Sequence, residues 1–266
     1  MAVLKSSLIV FVALAALLIV ALRFLVSRSL LFPASQDPLP GTLPGGKIVS
    51  YRTEDGLTLR GVSLSSERKD APGVVFFHGN GEAAVHDIPL GQRLAELGLD
   101  VFLAEYRGYG GCPGSPSEAG LFLDGDAAIR AAGFPEDRLV IVGRSLGTGV
   151  AAEMAVRHPA RLVLLISPYT SVAAMGRFVV GPLAPLVVRD RFDTLSRVSR
   201  IRSPLVVAHG TADEVIPFRM GEKVAAARPG TRFVRLEGKS HNDWSGQEEL
   251  VRDEVLRAWA GSVAEP

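Results

Sequence analysis

Residues Gly143-Arg144-Ser145-Leu146-Gly147 place a hydroxyl between two glycines, immediately after the apolar run Leu139–Val142 and before a helical pattern. A nucleophile on so sharp a strand-to-helix turn needs strained backbone angles and neighbours small enough for the helix to pack. A free serine is a weak nucleophile; it needs a base, and the base needs a third group to orient it. His241, in Gly238-Lys239-Ser240-His241-Asn242-Asp243, and Asp213, in His209-Gly210-Thr211-Ala212-Asp213, supply those types after two later apolar runs. The chemistry expected of Ser145, Asp213 and His241 together is acyl transfer.

Other residues compete for these roles. His158 precedes Pro159 at a helix end and His86 opens a helix, positions that solvation explains. His78 and His209 each precede a glycine at a strand end, where shaping a loop is the expected use. Asp190, Asp193 and Asp243 compete with Asp213; Asp243 is very close in sequence to His241. Asp213 also has a plain alternative, capping its own loop through an Asx turn. A tetrahedral oxyanion needs backbone donors. One expected donor is the Leu146 amide after the nucleophile, and the other is Asn80 in Phe77-His78-Gly79-Asn80-Gly81-Glu82. That glycine-rich stretch also reads as an ordinary turn.

Six short apolar runs carry these loops: Val74–Phe77, Val101–Ala104, Leu139–Val142, Leu162–Ile166, Leu205–Ala208 and Phe233–Leu236. Between them lie helical patterns near 86–97, 117–132, 146–157, 217–227 and 247–259. Continuous apolar strands alternating with helices predict an α/β fold, a mostly parallel central sheet covered on both faces. Ligands bind such sheets at the carboxyl ends of the strands, where the candidate residues sit. Upstream, Lys47 to Leu64 reads as a hairpin turning at Asp55-Gly56. Residues 169–202 interrupt the rhythm with an apolar insertion that contains Met175, Phe178, Val179, Val180, Leu183, Leu186, Val187 and Val188, expected to form a small cap; plain packing on the sheet is the alternative. Placed near a bilayer, such a cap points to a lipid-like acyl substrate.

The N-terminal stretch from Ser6 to Val26 is apolar except for Arg23, and as a helix it reaches roughly 30 Å, enough to span a hydrocarbon core. A cleaved signal peptide is the rival reading, but no small-x-small site follows the run. We therefore expect a single-pass membrane anchor over 1–30. Lys5 and the amino terminus face Arg23 and Arg28 across it, so basic residues do not set its orientation. The next residues, 31–46, hold Pro33, Pro38, Pro40, Pro44 and three glycines and read as a linker. The catalytic domain is then 47–266.

Composition narrows the partners. The 266 residues carry 29 Lys and Arg against 28 Asp and Glu, a net charge of +1, so no nucleic-acid footprint exists. Beyond residue 30 the balance is 26 basic to 28 acidic, which does not draw the domain to anionic lipid. The lone Cys112 makes no internal disulfide and no cysteine zinc site, and it reads as a packed small residue. Neither a metal nor a cofactor is expected.

His78-Gly79-Asn80-Gly81, Tyr106-Arg107-Gly108-Tyr109-Gly110, Pro116-Ser117-Glu118, the Ser145 motif, His209 to Glu214 and His241-Asn242-Asp243 together resemble the membrane-anchored Bem-type branch of the α/β-hydrolase superfamily. Relatives there include thioesterases that remove palmitate from proteins, and lysophospholipases. The resemblance runs from about Ile48 to the C-terminus. It implies an α/β-hydrolase fold, a Ser145–His241–Asp213 triad, an Asn80/Leu146 oxyanion hole and no cofactor. Cys112 stands where serine is common, and Ser240 where glycine is common; both departures touch the rim of the site. Arg107 reads either as a substrate clamp or as a tie between loops. Ester or thioester hydrolysis is the expected activity. A peptidase or amidase on small substrates, and an idle binding protein, stay open as alternatives.

Overall fold

The structure is a computed structural model that describes residues 11, 14, 16–21, 31–181, 184, 188–243 and 245–260. Most of the expected anchor lies outside the described residues. Within it, Phe11, Leu14 and 16–21 are helical, and Phe11, Leu14, Leu17, Leu18 and Val20 are exposed. Among the described residues no helix is long and apolar enough to cross a membrane.

Eight strands form one sheet in the order β1-β2-β4-β3-β5-β6-β7-β8. The hairpin is present as β1 (Gly46–Arg52) and β2 (Thr58–Leu64), paired antiparallel and turning through Gly56 at φ +90°. β2 also runs antiparallel to β4 (Asp100–Ala104). From β4 the sheet is parallel through β3 (Gly73–Phe77), β5 (Leu139–Arg144), β6 (Leu162–Ile166), β7 (Leu205–Gly210) and β8 (Arg232–Leu236).

The side-chain period of two explains how a five-residue strand serves two cores. In β3, Val75 and Phe77 enter one core, which also takes Leu121, Val150 and Val224. Val74 and Phe76 enter the other, with Leu94, Val251 and Val255. The first face is covered by α2 (Glu118–Ala132), α3 (Leu146–Arg157) and α6 (Phe218–Ala226), the second by α1 (Ile88–Glu96) and α7 (Gln247–Ala260). Both faces being dry, the central strands contain little but Val, Leu, Ile and Phe.

The insertion holds α4 (Val172–Val180) and α5 (Thr194–Val198). Each starts on a side-chain cap, Ser171 accepting from the Ala174 amide and Asp193 from the Ser196 amide. Tyr169, Val188 and Phe192 from this insertion are buried in the first core. Leu183, Leu186 and Val187 lie outside the described residues.

The 31–46 segment, expected as a linker, is seated on the domain at two points. Phe32 and Leu39 are buried, and Phe32 meets Phe192 edge-on at 6.2 Å. Prolines remove backbone donors without stopping an extended strap from lying on a surface, so composition alone did not reveal these two apolar contacts.

Candidate active site

Ser145 is the single residue between β5 and α3. Its backbone sits at φ 50° and ψ −117°, a sparsely populated region for a side-chain-bearing residue. Local bonds hold it there. Its amide donates to the Ile166 carbonyl at 3.0 Å, and its carbonyl accepts from the Thr148 amide and from Thr148 Oγ1 at 2.6 Å. The flanking glycines are required by space. A Cβ on Gly143 would stand 2.4 Å from the Gly147 carbonyl oxygen, and one on Gly147 would stand 2.1 Å from that of Phe77.

The predicted partners come from the ends of β7 and β8. Ser145 Oγ donates to His241 Nε2 at 3.1 Å, and His241 Nδ1 donates to Asp213 Oδ2 at 2.8 Å. Asp213 is anchored through its other oxygen, which accepts the Val215 and Ile216 amides at 3.0 and 2.7 Å. The Asx-turn use and the imidazole contact therefore coexist in one carboxylate. His209, fully buried, places Nε2 at 3.3 Å from Asp213 Oδ2 while donating to the Ile216 carbonyl at 2.9 Å. Burial pushes the Asp213 carboxyl up. The hydrogen bonds from His209, His241 and the Ile216 amide outweigh that and hold it well below the usual carboxylate range. The carboxylate is thus ionised beside the imidazole. The His241 amide donates to Glu214 at 3.2 Å, which ties the two loops together.

The β3 loop faces the start of α3, where the Leu146 amide opens the helix. Its foundation is His78, fully buried, with Nε2 donating to Glu105 at 2.8 Å and Nδ1 donating to the Gly79 carbonyl at 2.8 Å. Burial disfavours the imidazolium, but the Glu105 carboxylate beside it raises its pKa above the ordinary histidine value. Glu105 also accepts from the Ala84 and Tyr106 amides, so the pair fixes the loop base from three sides. Above it, the Asn80 side chain is taken at both ends. Nδ2 donates to the Leu31 carbonyl at 2.6 Å, and Oδ1 accepts from Tyr109 at 2.8 Å.

Arg144, next to the serine, is 4% exposed; it pairs with Glu82, lies 3.1 Å from Asp87 and donates to Gln247 at 3.2 Å. Glu82 in turn accepts the Gly79 amide at 2.9 Å. The elbow arginine thereby links the β3 loop to the start of α7, a role that sequence alone did not reveal. Arg107 is a tie between loops: it bonds Asp55 in the hairpin turn at 2.7 Å and Asp124 on α2 at 2.9 Å. The competing groups are engaged elsewhere. His86 donates to Asp37, His158 bonds Asp126, Asp190 accepts the Glu118 amide, and Asp243 pairs with Lys239. Asp193 caps α5, and Cys112 is a buried free thiol. Among the described residues no group of three or more His, Cys, Asp or Glu could hold a metal ion.

A cavity of about 330 Å³ opens beside His241, with Ile166, Leu236 and Leu250 as its apolar wall and Ser167, Ser240 and Lys239 as polar lining. A hydroxyl, an imidazole and an ionised carboxylate in one hydrogen-bonded line, next to a helix N-terminus and an apolar cavity, are what acyl transfer requires.

Residues 69–192 match the family described as Serine aminopeptidase, S33 (Hydrolase_4). An uncharacterized protein of Mycobacterium tuberculosis (strain H37Rv) is 36% identical over 227 residues, which cover 81% of this chain and 80% of that protein. Alpha/beta hydrolase domain-containing protein 17B of Homo sapiens is 34% identical over 181 residues, 64% of this chain and 60% of that protein. Among solved structures, an esterase of Pyrococcus furiosus aligns with a TM-score of 0.66 at 18% identity, covering 85% of this chain and 96% of that one. The esterase RhEst1 from Rhodococcus sp. aligns with a TM-score of 0.60 at 17% identity, covering 79% and 98%. At such identities these two likenesses speak for the fold alone. With its parallel sheet, its strand–serine–helix turn and these sequence relatives, the chain belongs to the α/β-hydrolase family.

Proposed function

We propose that this protein is a serine hydrolase that transfers the acyl group of a carboxylic ester or thioester to water. The carrying observation is the unbroken line from Ser145 Oγ through the His241 ring to Asp213 Oδ2. In the first half-reaction Oγ bonds to the substrate carbonyl carbon while its proton passes to His241 Nε2. Asp213, ionised, accepts the Nδ1 hydrogen bond and stabilises the imidazolium. The Leu146 and Asn80 amides receive the oxyanion. Collapse of the adduct breaks the bond to the alcohol or thiol, which leaves with the proton from Nε2. In the second half-reaction water gives a proton to Nε2, bonds to the acyl carbon and releases the carboxylic acid. The acyl bond to Oγ breaks, Nε2 returns its proton to Oγ to restore the serine, and no cofactor is used.

The substrate is a lipid-like acyl group held near a membrane, through an N-terminal anchor over residues 1–30. Two features support this reading. The run from Ser6 to Val26 has the length and composition of a span. Leu31, only five residues after Val26, touches Asn80, so the chain itself limits the distance between them to about 18 Å. The 169–202 insertion acts as the small cap that covers the acyl chain. The domain that does the chemistry is 47–266.

The name of the matching family favours a second reading, cleavage of aminoacyl amides. A panel of p-nitrophenyl acetate and decanoate, a decanoyl thioester and aminoacyl p-nitroanilides separates the two. We expect the highest kcat/KM on the ten-carbon ester and thioester. Turnover of anilides alone would replace the esterase reading by the peptidase one.

A further inference from the structure

We propose that the strap from Leu31 to Asp37, which precedes the catalytic domain, is a working part of the oxyanion hole: it positions Asn80. The inference rests on the hydrolase reading above and adds to it a dependence on a segment outside the fold's sheet and helices.

The argument begins with the Asn80 side chain. An asparagine amide has one acceptor group and one donor group to offer. Here Nδ2 gives one of its two N–H bonds to the Leu31 carbonyl at 2.6 Å, and Oδ1 accepts from the Tyr109 hydroxyl at 2.8 Å. In the proposed reaction Asn80 serves the developing oxyanion through its backbone N–H, and its side chain, held at both ends, is a bracket that fixes where that N–H points. One arm of the bracket is the strap; the other is Tyr109, which is fully buried.

The strap is itself fastened to the elements around the site. Phe32 is buried against Phe192 of the insertion. The Ser35 carbonyl accepts the Gly110 amide at 2.9 Å, and Gln36 Nε2 donates to the Gly108 carbonyl at 2.8 Å. Asp37 accepts from His86 Nε2 at 2.9 Å. The two arms holding Asn80 are thus joined to each other, because Gly108 and Gly110 flank Tyr109. A donor aimed at transition-state charge works only if it is held in place beforehand. This closed circuit of bonds holds it. Tension or release at the N-terminal segment, five residues upstream, reaches the oxyanion donor without passing through the hydrophobic core.

The test uses the full-length protein in detergent micelles and three variants. Asn80→Asp is isosteric and keeps an acceptor for Tyr109, but sets an oxygen against the Leu31 carbonyl. Tyr109→Phe removes the other arm and keeps the ring. Phe32→Ala loosens the strap itself. For each, kcat and KM are measured on p-nitrophenyl butyrate, together with the affinity of an alkyl boronic acid, which forms a tetrahedral adduct on the serine, and the thermal midpoint. We expect kcat to fall by about tenfold or more, short of the 10²–10³ lost with a whole donor. KM should stay within about threefold, and boronate affinity should fall by the same factor as kcat/KM. A strap that only packs would lower the thermal midpoint of Phe32→Ala and leave kcat intact in all three; that result overturns the proposal. If the wild-type protein hydrolyses no ester and Ser145→Ala changes nothing, the hydrolase reading falls and this inference falls with it.

Discussion

Replacing Gly147 with alanine inserts one methyl group at the closest approach between the start of α3 and the end of β3. The added carbon would lie 2.1 Å from the Phe77 carbonyl oxygen and 2.7 Å from that of His78. Ordinary contact begins near 3.4 Å, so the helix start and the strand end must separate by about 1.3 Å. Both obstacles are backbone, and neither can rotate away. Phe77 is centrally paired in the sheet with β4 and β5, so movement falls on the loop that begins at His78 and carries Asn80. A misplacement of about 1 Å is worth on the order of 10²-fold in rate. Forcing a methyl into packed structure costs about 1–3 kcal/mol in stability. We therefore expect Gly147→Ala to fold with a lowered thermal midpoint and to lose about two orders of magnitude in kcat/KM on p-nitrophenyl butyrate. Its labelling by a fluorophosphonate should slow in parallel. Gly41→Ala, where nothing lies within 4 Å of the added carbon, serves as the silent control. Wild-type kcat/KM in Gly147→Ala would refute the claim that the elbow and the β3 loop must touch this closely.

Other outcomes follow from the same geometry. Asp213→Asn should lower kcat by about 10⁴-fold with little change in KM, because the amide favours the wrong imidazole tautomer. The ionised Asp213 also stabilises the fold. Its carboxyl is held below the unfolded value of about 4, so its contribution is complete above that pH and fades as pH falls toward the folded value. Acid titration of the thermal midpoint should consequently be flatter in Asp213→Asn than in wild type. Arg107→Ala should destabilise by about 3–5 kcal/mol at neutral pH by leaving Asp124 buried and unpaired. Burial already pushes the Asp124 carboxyl up to about 6 against the opposing Arg107 bonds, and higher still without them, so the deficit should shrink as pH falls toward that value and level off below it. Chemical denaturation at pH 7.5 and pH 5 checks this.

The parallel sheet was legible because strands dry on both faces admit little but branched and aromatic apolar residues, as β6 shows in Leu162–Ile166. The serine turn was legible because only glycine fits beside it, and the loop-shaping use expected of His78 follows from its place at a strand end. Residues whose roles depend on distant partners were not. The Arg144 side chain meets Glu82 and Gln247, more than sixty and one hundred positions away in the chain. Nothing local to a Gly-Arg-Ser triplet encodes that reach. His209 was expected to shape a loop; it also touches Asp213, because the β7 turn folds back four residues later. The strap was least legible. Four prolines between residues 32 and 46 mask two apolar contacts, Phe32 and Leu39, that seat it on the domain. Arg107 left two uses open in the sequence, and the paired carboxylates of Asp55 and Asp124 account for its guanidinium.

The most direct measurement is covalent labelling of the purified full-length protein with a fluorophosphonate, followed by mass spectrometry of its peptides. The account predicts a single phosphonyl adduct on Ser145, absent in Ser145→Ala and slowed by several orders of magnitude in His241→Ala. An unlabelled wild-type protein, or an adduct that persists unchanged when His241 is removed, would contradict it.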